Sequence, residues 1–149
     1  MLLKDACTPD VVCCSGTTHV LEAARIMRRK HVGAVVVVAD PEDERIPLGI
    51  VTDRDIVVEV LGMGLDPSTT SLASLMHAPV VIALESEDTG QLIQRMRDHG
   101  VRRIPVVDRD GAAIGIITLD DLLRMLVAEV NALFEIIDKG QKHEQHVRR

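Results

Sequence analysis

The chain has 149 residues, 46% hydrophobic and 27% charged, with 17 basic against 23 acidic side chains and a formal net charge of −6. That balance excludes a disordered chain. One Phe, no Trp and no Tyr, beside an acidic excess, argue against nucleic acid, whose bases need aromatic platforms and whose backbone needs cations. No apolar run approaches the ~20 residues that span a bilayer. The opening Met-Leu-Leu-Lys-Asp lacks the basic flank, apolar stretch and cleavage site of a secretory signal, so a cytoplasmic protein is expected, with no membrane partner. Cys7, Cys13 and Cys14 are odd in number and contain no Cys-x-x-Cys pair, which reads as reduced thiols rather than a disulfide framework.

The chain repeats itself. A shift of 69 places aligns Val11-Val12 with Val80-Val81, Met27-Arg28 with Met96-Arg97, Val32 with Val101, and Val37-Val38 with Val106-Val107. The offset then becomes 66 and aligns Gly49-Ile-Val-Thr-Asp-Arg-Asp55 with Gly115-Ile-Ile-Thr-Leu-Asp-Asp121. The change falls in the acidic stretch Asp40–Arg45, and insertions belong in loops.

In chain order, each copy predicts an extended piece (Val11-Val12; Val80–Ile82), then a helix opening near Thr17-Thr18 or Ser86. Its apolar face is Val20, Ala23, Ala24 and Met27, or Leu92, Ile93 and Met96. A β-branched run follows, Val32–Val38 or Val101–Val107, whose unbroken apolarity predicts a strand covered on both faces. A second strand, Leu48–Val51 or Ile114–Ile117, ends at Thr and passes into a helix near Asp53 or Leu119. The fold class is therefore α/β (α+β): two β-α-β-β-α repeats packed as a pseudo-two-fold pair. Gly62–Thr70 has linker composition. Repeat 1 is set at residues 1–65, the linker proper at 66–70 and repeat 2 at 71–128. A C-terminal helix extension and polar tail take 129–149. The last helix carries an apolar stripe of Leu122, Leu126, Val130, Leu133, Phe134 and Ile137, with a stop expected at Gly140. That stripe needs a partner, for which a second subunit is favoured.

Two features carry chemistry. In Gly-Ile-(Val/Ile)-Thr-x-x-Asp, a Thr closing a strand and an Asp one turn later stand at a helix start. There a hydroxyl and backbone N–H groups suit an anion, and a carboxylate suits the paired hydroxyls of a ribose. Thr and Asp also cap helices with no ligand involved; their recurrence in both copies favours binding. The second feature is Gly100-Val-Arg-Arg-Ile-Pro-Val-Val107. Along a strand, adjacent side chains point to opposite sides, so one arginine can face a cleft and offer its planar fork to phosphate. The first copy has Gly33-Ala34 there, so Arg54 or an arginine of the other copy would have to substitute.

These motifs, from about Leu2 to Val127, resemble a tandem pair of CBS domains, a Bateman module, in the format of stand-alone bacterial signal-transduction proteins. The resemblance implies regulatory binding of adenosine-containing ligands (AMP, ADP, ATP, NAD or S-adenosylmethionine) in two clefts between the repeats. By position, one cleft would use Thr118 and Asp121 on ribose and phosphate, Arg102 and Arg103 on phosphate, and Ile116 as lining. Val12, Val32, Gly33 and Ala34 would hold the adenine there, with Cys7 or Thr8 at its edge. The other would use Thr52, Asp55, Ile50, Met76, His77, Val81, Val101 and Arg102. The resemblance further implies a homodimer in which Ile56, Val60, Leu122 and Met125 meet a second copy, and a regulated protein partner.

An enzyme is not expected. Asp53, Asp55, Asp120 and Asp121 offer carboxylates, but no nucleophile–base pair and no Walker-type loop accompany them. His143-Glu-Gln-His146 spaces its histidines three apart, not four as in a zincin, and Asp40–Glu44 lacks calcium-loop spacing, so no metal and no catalytic cofactor are expected. The competing class is a dimeric scaffold whose clefts are vestigial.

Overall fold

Four consecutive valines can bury both faces of a strand only between two layers. The computed structural model, which describes residues 2–9 and 11–148, does this with β2 (Ala34–Val38). Val35 and Val37 enter one cluster with Cys14, Val20, Ala23, Met27, Val51, Val60 and Leu72. Val36 and Val38 enter another with Val11 and Ala113. All four valines are at most 1% exposed, as the unbroken apolar run predicted.

The elements follow the predicted order, with one addition to each repeat. Repeat 1 runs α1 (Leu3–Ala6), β1 (Cys13–Ser15), α2 (Val20–Lys30), β2, β3 (Pro47–Thr52) and α3 (Asp53–Asp55). The α3 turn continues without a break into a π-wound segment, Ile56–Leu61. Repeat 2 runs α4 (Leu72–Leu75), β4 (Ala83–Leu84), α5 (Thr89–His99), β5 (Arg103–Val107), β6 (Ala113–Thr118) and α6 (Leu119–Val147). The sheets have the orders β1-β2-β3 and β4-β5-β6. β1 is parallel to β2 through Cys14↔Val37 and Ser15↔Val38, and β4 is parallel to β5 through the matching Ala83↔Val106 and Leu84↔Val107.

Three local expectations shift. The first strand of each repeat begins beyond the valines expected to form it, because ladder pairing starts only where the chain lies beside β2 or β5. The helices expected near Thr17-Thr18 and Ser86 open at Val20 and Thr89. In the second, Asp88 accepts from the Gln91 N–H and Gln91 returns the bond, a reciprocal cap that sets the start. Gly140 does not end α6, which continues to Val147. A glycine inside a helix costs only about 1 kcal/mol against alanine, and the polar residues after it are helix formers. A residue in the left-handed region does end α2 and α5. It is Gly100 at φ 63° in α5 and, at the matching place in α2, His31 at φ 56°.

The added helices α1 and α4 are exchanged between the repeats. Leu72 of α4 is fully buried in the core of repeat 1, and its N–H donates to the Thr18 carbonyl at 2.9 Å. Leu3 of α1, also fully buried, donates its N–H to Glu87 of repeat 2 at 3.1 Å. Single antiparallel bridges complete the symmetry: His19 with Ser71 and Leu2 with Asp88, then Ile50 with His77 and Thr8 with Ile116.

The chain divides into two compact units, Met1–Ile117 and Thr118–Arg149. The second is α6 with its Thr118 cap. Along it, Leu126, Val130, Leu133, Phe134 and Ile137 are 48–62% exposed. Among the described residues no helix is long and apolar enough to cross a membrane.

Candidate functional site

The repeated Thr-x-x-Asp motif folds as a reciprocal capping box in both copies, because a strand that ends at Thr leaves the next helix with unpaired N–H groups. In repeat 1 the Thr52 N–H donates to Asp55 Oδ2 at 2.8 Å, and the Asp55 N–H donates to Thr52 Oγ1 at 3.2 Å. In repeat 2 the Thr118 N–H and hydroxyl both lie 2.9 Å from Asp121 Oδ2, and the Asp121 N–H donates to Thr118 Oγ1 at 3.1 Å.

The surroundings of the first box lie wholly within the first unit. The His77 N–H donates to the Ile50 carbonyl at 3.2 Å. That bond brings the imidazole Nε2 to 2.9 Å from Asp55 Oδ1. The imidazole side chain is 71% exposed and the carboxylate beneath it 14%. Burial disfavours charge on Asp55, but the hydrogen bonds from His77 and Thr52 outweigh it and hold the carboxyl below the usual carboxylate range. Met76 lies against Gly49, where an added Cβ would meet Met76 Cβ and Sδ at 2.8 Å. The structure thus brings together Thr52, Asp55, Ile50, Met76 and His77. Val81 and Val101 are half-buried. Arg102 is exposed and makes no side-chain hydrogen bond or ion pair among the described residues.

Of the second set, Thr8 and Ile116 exchange backbone bonds at 3.0 and 3.2 Å, and Cys7 covers Gly115, where a Cβ would meet its Sγ at 2.6 Å. Val12, Val32, Gly33 and Ala34 are all half-buried. Arg103 reaches from repeat 2 to repeat 1, where Nη1 donates to the Gly33 carbonyl at 2.9 Å. The same carbonyl accepts from the Asp53 N–H at 2.9 Å. The two adjacent arginines therefore diverge, Arg103 inward and Arg102 to solvent, as strand alternation requires. Gly33 leaves room for this: a Cβ there would stand 3.2 Å from Asp53 Oδ2 and 3.3 Å from Arg103 Nη1.

Two residues enter these surroundings by contacts that no motif announces. Asp53, expected as a carboxylate at the helix start, enters through its backbone bond to Gly33, a register contact in which Ala34 lies opposite Thr52. Arg45, at the end of the acidic loop, is half-buried. Its Nη2 donates to the Val11 carbonyl at 3.1 Å and lies 3.3 Å from Cys13 Sγ, while its carbonyl accepts from the Ala113 N–H at 2.8 Å. Among the described residues no three His, Cys, Asp or Glu side chains cluster as a metal ion would need.

The family model described as CBS domain matches residues 3–62 and 72–128. The chain is 34% identical over 133 residues to the uncharacterized protein MK0525 of Methanopyrus kandleri, covering 89% of this chain and 66% of that protein's length. It is 32% identical over 123 residues to hypoxic response protein 1 of Mycobacterium tuberculosis, covering 83% of each. The crystal structure of hypoxic response protein I with two coordinated zinc ions superposes with a TM-score of 0.73 at 31% identity, over 83% of this chain and 98% of that one. The CBS domain protein PAE2072 from Pyrobaculum aerophilum, complexed with AMP, has a TM-score of 0.75 at 22% identity, over 89% and 99% of the two chains, a likeness of fold.

Proposed function

The chain belongs to the CBS-domain family, and from that premise we propose that it is a cytoplasmic regulatory module that binds an adenosine-containing ligand and signals to a protein partner. The observation that carries the reading is the pair of Thr-x-x-Asp capping boxes. Each presents a carboxylate and a hydroxyl at a helix start, a chemistry matched to a ribose diol and a neighbouring phosphate. Arg103, with Arg102 beside it, supplies the cation for phosphate in the proposal, and Ile50, Ile116, Met76, Val12, Val32, Val81, Val101 and Ala34 supply aliphatic walls. Such walls suit a chain with no Trp or Tyr to stack on adenine. A protein of this fold complexed with AMP supports adenosine as a chemistry the fold can hold. The module acts as a homodimer in this reading.

Isothermal titration calorimetry against AMP, ADP, ATP, NAD and S-adenosylmethionine tests it, with Asp121→Ala beside the wild type. Binding of at least one ligand at micromolar concentration, lost or weakened at least tenfold in the variant, is expected. No binding by any of the five would replace this reading with a scaffold that works through its exposed α6 stripe.

A further inference from the structure

The two capping boxes differ in how their carboxylates are bonded. Asp121 uses Oδ2 for both bonds to Thr118, and its Oδ1 has no hydrogen-bond partner among the described residues. Asp55 uses Oδ2 for the Thr52 N–H and Oδ1 for the His77 imidazole. The geometry is that of a cover: the ring is the exposed member of the pair, and the carboxylate is the shielded one. The backbone bond from His77 to Ile50, the residue two before Thr52, anchors the cover to the strand that leads into the box. A diol approaching Asp55 Oδ1 from solvent therefore has to move the imidazole aside.

Of the two box carboxylates, Asp55 is the one with an imidazole partner among the described residues. His77 bridges to Ile50 as Thr8 bridges to Ile116, so by register a threonine stands in the other segment where the histidine stands in this one.

We propose that His77 is a positioning residue that closes the Thr52–Asp55 box, so that the two boxes of one chain bind the same adenosine ligand with different affinity. This rests on the ligand reading above and adds a specificity device to it. A charge-assisted hydrogen bond at an exposed site shifts affinity by roughly three- to tenfold when a ligand has to break it.

The test uses AMP and ATP as probes, by calorimetry, in the Asp121→Ala background so that only the Thr52–Asp55 box remains. His77→Thr, which copies the other repeat, is expected to tighten binding there by about three- to tenfold. His77→Gln, whose amide can still donate to Asp55, is expected to stay within about twofold of the parent. The gain should vanish when Asp55→Asn is added. A general loss of structure cannot tighten binding, so a gain is specific. Unchanged or weaker binding in His77→Thr overturns the proposal. If that happens while wild type binds through the Asp121 box, the ligand reading stands without it. If neither wild type nor any variant binds either probe, both fall together for these nucleotides. As a ligand-free check, the imidazole carbon shifts of His77 should respond to Asp55→Asn; an unresponsive ring would overturn the cover directly.

Discussion

Asp55 concentrates at one side chain what the fold does around it. Its carboxyl is partly buried, which alone would favour the neutral form, yet hydrogen bonds from the His77 imidazole and the Thr52 N–H favour the charged one. A carboxyl held below its ordinary value contributes stability that is fully present above the unfolded value near pH 4 and is lost as pH falls through the lowered folded value. Asp55→Asn should therefore flatten the acid limb of stability measured by urea unfolding between about pH 5 and pH 2.5. An acid limb unchanged from wild type would mean that the pairing with His77 and Thr52 does not operate in solution. The Thr and Asp of each box were legible in the sequence because their spacing is local, three residues apart on one chain segment. His77 was assigned to the same cleft only by the family resemblance: 22 residues separate it from Asp55, no local pattern pairs the two, and the exchange of α4 brings them together.

At the scale of elements, the motif glycines explain how that exchange is accommodated. Gly49 and Gly115 hold matching places, and each is crossed by the short segment that belongs, by chain order, to the opposite repeat. A Cβ on Gly115 would meet the Thr8 backbone carbonyl at 2.8 Å as well as Cys7 Sγ, and a Cβ on Gly49 would meet Met76 Cβ and Sδ, both at 2.8 Å. The Met76 sulfur can swing away, but its Cβ, like the Thr8 carbonyl, moves only with the backbone. Gly115→Ala and Gly49→Ala should therefore each destabilise the protein by about 1–3 kcal/mol in urea unfolding. A loss at either position too small to measure would show that the crossing there is looser than this. The long elements α2, α5, β2 and β5 were legible because periodicity over five to eleven residues is a strong signal. The four-residue helices α1 and α4 carry no period, and so their existence depended on what they pack against.

At the scale of the whole molecule, α6 is the feature that a single chain leaves incomplete. Five large apolar side chains at helical spacing are about half exposed or more along one face, and contiguous apolar exposure of this kind marks an interaction surface. Light scattering at micromolar concentration is expected to find twice the chain mass. Leu133→Glu with Phe134→Glu is expected to return the chain mass with the calorimetric affinity for ligand kept. A wild-type chain that scatters as a monomer would remove the homodimer from the proposal.

The sequence by itself determined the doubled unit, the valine strands buried on both faces and the two capping boxes. Each of these is written in residues close together in the chain, by period, by β-branching or by three-residue spacing. Only the tertiary structure decided that the segments around Leu3 and Leu72 trade places and that Arg103 reaches the Gly33 carbonyl. It also decided that the His77 imidazole meets the Asp55 carboxylate. Those contacts depend on which surfaces meet when two repeats fold against each other, and no local pattern encodes a meeting between residues 22 or 70 positions apart.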